Sequence, residues 1–90
     1  MADKKQNLVG PSVRRLRTEA QLSQEKLVAK LQLASWDLSR GGLSKIEAGL
    51  RRVNDAELWM LAKALGCTPD ALYPARPKNV LDVVRHGKAQ

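Results

Sequence analysis

The chain is short of the residues most often used for disulfides, metals and catalysis. It holds one cysteine, Cys67, and one histidine, His86, in 90 residues. A lone cysteine excludes an intrachain disulfide framework. The two residues stand far apart in sequence and do not make a metal site. Cys67 has apolar neighbours and reads as a small core residue, whereas His86 lies in a basic tail and reads as solvated. No apolar run approaches membrane-spanning length. Residues 1–7 are polar and are followed by no apolar stretch of the kind a secretion signal carries. A helix lying on a membrane surface would be basic, amphipathic and anchored by aromatics, and no such stretch is evident. There is no nucleophile–base pair and no glycine loop for phosphate. A cytoplasmic protein that is not an enzyme and carries no cofactor is expected, with no membrane partner.

What the chain has in excess is positive charge. Sixteen Lys and Arg outnumber nine Asp and Glu, giving a net charge of +7. Nucleic acid is the commonest polyanionic partner for such a balance. A generic soluble surface with surplus lysine is the plainer explanation, so charge alone decides nothing.

Patterning carries more. Residues 1–9 are polar and read as a flexible arm. Gly10 and Pro11 open a first helix, with Val13, Leu16 and Ala20 on one face and Arg14, Arg15 and Arg17 around them. Ser23 caps a second helix, with Leu22 and Leu27 bracketing the cap as a hydrophobic staple. Its apolar face is Leu27, Val28 and Leu31, with Ala34 as its extension. Ser39 caps a third, stapled by Leu38 and Leu43, with Ile46 and Leu50 extending the apolar face. Asn54 and Glu57 form a capping box for a fourth, stapled by Val53 and Leu58. Leu58, Leu61, Ala62 and Leu65 point inward, and Gly49 and Gly66 stand at helix ends, where glycine is the usual C-terminal cap. Thr68 caps a last short helix, with Cys67 and Leu72 as its staple. Residues 79–86 carry Val80, Leu81, Val83 and Val84 at helical spacing, which fits a self-association surface or a segment folded back on the core. The organisation expected is an arm over 1–9, an all-α domain of five short helices over 10–74, and a tail over 75–90 in which residues 79–86 fit a short helix or, as the alternative, a strand.

The third helix divides into two sides. Leu43 and Ile46 share one face, and Arg40, Gly41, Ser44 and Lys45 lie elsewhere. A helix that buries one side and offers donors on the other suits the major groove of DNA.

Three blocks, Leu22 to Leu27, Leu43 to Gly49 and Leu61 to Gly66, together resemble the helix-turn-helix domain of phage repressor and Cro proteins, the xenobiotic-response-element type. The resemblance covers roughly residues 10–74. It implies a repressor-like five-helix fold in which helices two and three bind double-stranded DNA, and a homodimer, since one module covers little DNA. It also implies roles. Arg40, Gly41, Ser44 and Lys45 match positions that face base edges or adjacent phosphates. Gln24, Arg51 and Arg52 match phosphate contacts, and Arg17 with Glu47 matches an internal salt bridge.

Two features depart from the family pattern. Residues 32–38 fill a place where the family has a tight turn, so helix two is longer or the turn is a true loop. Trp36 there reads as a plug over the end of the core. Gly41 and Gly42 stand where reading side chains are common, and each weakens the helix by about 1 kcal/mol relative to alanine. Base reading would then fall mainly to Arg40 and Lys45. The alternative function is a protein-interaction or antitoxin-like module that keeps the fold, with a protein partner.

Overall fold

A computed structural model describes residues 4–86 of the chain, apart from the side chain of His86. The expectations placed on residues 1–3, on residues 87–90 and on the His86 side chain lie outside these described residues. The elements are α1 (Gly10–Glu19), α2 (Gln24–Leu33), α3 (Arg40–Glu47), α4 (Asp55–Leu65), a single 3-10 turn (Pro69–Leu72) and α5 (Val80–His86). No strand occurs among the described residues.

The helix starts follow from local chemistry. Ser23 Oγ accepts from the Lys26 N–H at 3.0 Å, and Ser39 Oγ accepts from the Gly42 N–H at 2.9 Å. At α4 the capping box is complete: Glu57 N–H donates to Asn54 Oδ1 at 2.8 Å, and Asn54 N–H donates to Glu57 Oε1 at 3.1 Å. Each cap satisfies a first-turn N–H that has no intrahelical acceptor. The staple partners Leu38 and Leu43 are both buried. Thr68 departs from the expectation. Its side chain makes no capping bond, and the segment after it is one 3-10 turn rather than an α-helix. Pro69 removes an N–H there, and burial of Leu72 holds the turn in place.

The helix ends share one device. An N–H two or three residues past the helix reaches back five positions: Leu22 to Arg17 O, Trp36 to Leu31 O, Leu50 to Lys45 O and Cys67 to Ala62 O. This Schellman closure needs a residue at positive φ just before it. Gly49 and Gly66 supply it at φ 77° and 74°, but Gln21 and Ser35 supply it at 60° and 73°. A side chain is disfavoured there. Ser35→Gly is therefore expected to stabilise the fold by about 0.5–1 kcal/mol, read as a rise in the urea midpoint at unchanged slope.

The same closures account for three departures. Ala20 and Ala34 cap the ends of α1 and α2 and are exposed, not part of the inward faces. Leu50 does not extend the apolar face of α3, because Gly49 turns the chain and leaves it 45 % exposed.

Leu27, Leu31, Leu43, Ile46, Leu61, Leu72 and Val13 are fully buried and form the centre of the core. Burying each of the larger side chains contributes about 2 kcal/mol. α3 packs on both α1 and α2, and α4 packs on α2, α1 and the 3-10 turn. The inserted stretch continues α2 to Leu33 and then closes on Ser35. Trp36 packs against the core at the end of α2, as a plug should. Leu33, by contrast, projects into solvent at 88 % exposure.

The arm also departs from expectation. Residues 5–9 are tied to the rest of the chain: Gln6 N–H donates to Gly49 O at 2.8 Å, and Asn7 and Val9 are buried. A polar stretch reads as mobile when its partners are distant in sequence, and here they are about forty residues away. α5 touches the body through Val83, which lines a crevice with Leu58 and Tyr73 and whose carbonyl accepts from Arg52. Leu81 and Val84 stay exposed.

Candidate nucleic-acid interface

α3 is an eight-residue helix with two chemically distinct sides. Leu43, Ile46 and Glu47 are buried, and Arg40, Gly41, Ser44, Lys45 and Ala48 are exposed. The outward set occupies positions i, i+1, i+4, i+5 and i+8, one continuous helical face. Two cations, a hydroxyl and two residues with no bulk make that face slim and donor-rich.

Beside it lies an open cleft of about 540 Å³, lined by Arg14, Gln24, Arg40, Ser44, Glu47 and Ala48 among others. The start of α2 forms one wall. Ser23 occupies the Lys26 N–H, so the Gln24 and Glu25 N–H groups have no intrahelical acceptor and point the positive end of the helix dipole outward. Arg40 sits across from Glu25, with 3.8 Å between guanidinium and carboxylate, and both side chains are mostly exposed. Such a pair contributes little to stability and releases either partner readily.

The floor of the cleft is a closed ionic cluster. Arg17 Nε donates to Glu47 Oε2 at 2.7 Å and Arg17 Nη2 to Glu47 Oε1 at 3.1 Å. Arg17 Nη1 donates to Leu22 O at 2.8 Å, and Gln24 Nε2 donates to Glu47 Oε1 at 3.0 Å. The pair is almost fully buried, with side-chain exposures of 10 % and 4 %. No buried side-chain nitrogen or oxygen lacks a partner among the described residues. Glu47 thus ties α3 to α1 through Arg17 and to the start of α2 through Gln24. The carboxamide of Gln24 is held at the cleft wall by this contact.

The structure therefore brings Arg17, Gln24, Arg40, Ser44 and Glu47 together around one cleft, with Gly41 and Lys45 on the adjoining face. Arg51 and Arg52 fall elsewhere. Arg51 grips Glu57 with two bonds, Nη1 to Oε1 at 3.0 Å and Nη2 to Oε2 at 2.9 Å. This holds the Glu57 carboxyl below the usual glutamate range and raises the Arg51 guanidinium. Arg52 is exposed and donates to Val83 O at 3.4 Å. Gly42 has a packing reason: a Cβ there would lie 2.8 Å from Leu38 Cδ1, so glycine makes room for the staple. Gly41 faces open space apart from Ser39 Oγ at 3.9 Å. Burial, aided by nearby Asp70, pushes the Cys67 thiol up, in keeping with a packed, unreactive cysteine. No cluster of three or more His, Cys, Asp or Glu residues able to hold a metal exists among the described residues. No described helix is long and apolar enough to cross a membrane.

Two residues of this surface lie outside the expected set, although the sequence carries a signal for each. Arg14 lines the cleft from α1. Its signal was present in the basic face of that helix but was indistinguishable from Arg15, which pairs with Glu19 instead. Ala48 lies at i+4 from Ser44 and was legible by periodicity.

Comparison with known proteins agrees with this fold. The helix-turn-helix family profile matches residues 13–72. The crystal structure of the restriction-modification controller protein C.AhdI from Aeromonas hydrophila is similar, with 35 % sequence identity and a TM-score of 0.64 over 73 % of this chain and 96 % of that one. No curated protein sequence matches. The chain belongs to the helix-turn-helix family of the phage repressor and Cro type, a family of DNA-binding transcription regulators.

Proposed function

We propose that the protein regulates transcription by inserting α3 into the major groove of duplex DNA. The observation that carries this is the outward face of α3, where Arg40, Gly41, Ser44 and Lys45 are exposed together while Leu43, Ile46 and Glu47 anchor the opposite side. Arg40 and Lys45 are the base readers, since both can donate to guanine. Ser44 adds a shorter donor, and Gly41 lets the backbone approach a phosphate. Gln24, with the free N–H groups at the start of α2, and Arg14 clamp one phosphate run. Arg52 contributes from the loop after α3. Arg51 must leave Glu57 to do the same, so its share is smaller. Similarity to a restriction-modification controller protein supports a regulator of that kind.

A homodimer belongs to the same reading. Trp59, Tyr73, Leu81 and Val84 are exposed apolar residues on α4, after the 3-10 turn and on α5, and a second copy would cover them while binding a second half-site. Sedimentation at increasing concentration reads this directly.

The test of DNA binding is selection of bound sequences from random duplexes, followed by titration of the winner against salt. Engagement of ~6 phosphates gives a log–log slope of about −5. Arg40→Ala and Lys45→Ala should each cost about 1–3 kcal/mol on the selected site and relax preference at one base pair. Affinity that stays flat from low to moderate salt would end this reading. One observation favours a protein-interaction module instead, the nearly full exposure of Leu33 beside the inserted turn. Partner capture undiminished in an Arg40→Ala, Lys45→Ala double variant, with no DNA binding by the parent protein, would select it.

A further inference from the structure

α3 is too short to hold its own geometry. It has eight residues, two of them glycines in its first turn, and helices of this length depend on tertiary contacts. Its N-terminal end is fixed by Ser39 and Leu38. Its C-terminal end is fixed from outside the stretch that matches the family profile, by residues 5–7.

The last carbonyls of a helix lack intrahelical donors, and this segment donates to three carbonyls at and just past the end of α3. Asn7 Nδ2 donates to Ile46 O at 3.1 Å, Lys5 Nζ to Ala48 O at 3.0 Å, and Gln6 N–H to Gly49 O at 2.8 Å. Asn7 Nδ2 also donates to Arg51 O at 2.8 Å, and Asn7 Oδ1 accepts from Gly10 N–H at 2.8 Å. One buried carboxamide, 7 % exposed, therefore joins the first residue of α1, the last turn of α3 and the loop leading to α4. Both its protons and its oxygen are used. Gly49 completes the seat, since a Cβ there would lie 2.7 Å from Lys5 Cδ.

We propose that Asn7 is a positioning residue for DNA recognition: it locks the C-terminal end of α3 to α1 and to the Arg51 loop, and so sets the angle at which Arg40, Ser44 and Lys45 meet the base edges. This rests on the DNA-binding reading above. Asn7 touches no base in this role. Its loss lets α3 tilt, which harms contacts that need hydrogen-bond geometry and spares the attraction between a basic surface and phosphates.

Asn7→Asp is the sharpest variant. It keeps an oxygen for the Gly10 N–H but replaces both donations with repulsion between a carboxylate and two carbonyls. Asn7→Ser is the milder one, should the first fail to fold. Each is compared with the parent on the selected duplex and on a random duplex at one salt concentration, with urea unfolding and amide exchange measured alongside. Affinity for the selected duplex should fall about tenfold, the loss of one good base contact, and affinity for random duplex by less than about twofold. Exchange at residues 49–53 should quicken relative to α4. Equal losses on both duplexes that track the unfolded fraction, and that Ser35→Gly restores, would overturn the positioning role and leave Asn7 as a stability residue. Unchanged affinity for the selected duplex would overturn it too. If the parent binds no duplex at all, the proposed function itself fails, an outcome separate from parent binding that survives with no selective loss in the variants.

Discussion

Arg17→Met is expected to lower folding stability by about 3–5 kcal/mol, and Arg17→Met combined with Glu47→Leu by less than either change alone. The reason lies in what each leaves behind. Without Arg17, the Glu47 carboxylate stays buried at 4 % side-chain exposure with Gln24 as its remaining side-chain donor. Without Glu47, the Arg17 guanidinium keeps one bond, to Leu22 O. An uncompensated buried charge costs more than the pair contributes, because the desolvation of both ions offsets much of their attraction. Replacing both by apolar groups removes both charges at once. In a domain whose total stability is on the order of 5–15 kcal/mol, either single change removes a large share of it, and at the lower end of that range it unfolds a substantial fraction of molecules. Urea unfolding of the parent, both singles and the double closes the cycle. A coupling of at least ~1.5 kcal/mol is expected, and losses that simply add would show that the ion pair is not what joins α1 to α3.

The parts of this architecture that could be read from the sequence are those made by near neighbours. Ser23, Ser39 and Asn54 cap helices through bonds that span three residues, and the staple pairs lie five apart, so a linear string contains both. The outward face of α3 is equally local, a matter of helical period. The rest depends on partners the string does not bring together. Gln21 and Ser35 adopt the left-handed conformation although neither type favours it; packing of Leu22 and Trp36 on the core enforces it. Leu50 seemed to continue a helical face because periodicity carries no information about where Gly49 turns the chain. Arg51 looked like a free cation, yet Glu57, already legible as the capping-box residue, had capacity for a second partner. Asn7 carried no signal at all: one asparagine in a polar segment gives no hint of acceptors some forty positions away. Local chemistry thus specifies α3, and long-range contacts decide how it is held.

Gly10→Ala is the sharpest test of that second half. α1 begins against the end of α3, and a Cβ on residue 10 would collide with Ile46 O and lie 2.8 Å from Glu47 O. Both obstacles are backbone, so no rotamer change relieves them. Ile46 O is pinned further by the Gly49 N–H and by Asn7 Nδ2. The start of α1 must lift, which also strains the bond from Gly10 N–H to Asn7 Oδ1. A cost of about 3 kcal/mol is expected, the upper end for overpacking, and a fall in Tm of roughly 15 °C. The other helical glycines provide the control. Gly41 opens on solvent, so Gly41→Ala should gain up to about 1 kcal/mol from helix propensity. At Gly42 the obstacle is the flexible end of Leu38, which can turn aside, so Gly42→Ala should fall within about 1 kcal/mol of the parent. The order Gly41→Ala, Gly42→Ala, Gly10→Ala in thermal unfolding would show that one hydrogen at position 10 keeps α1 and α3 in contact. A Gly10→Ala protein melting within a few degrees of the parent would mean that the two helices can separate without loss, and that the Arg17–Glu47 pair alone sets their spacing.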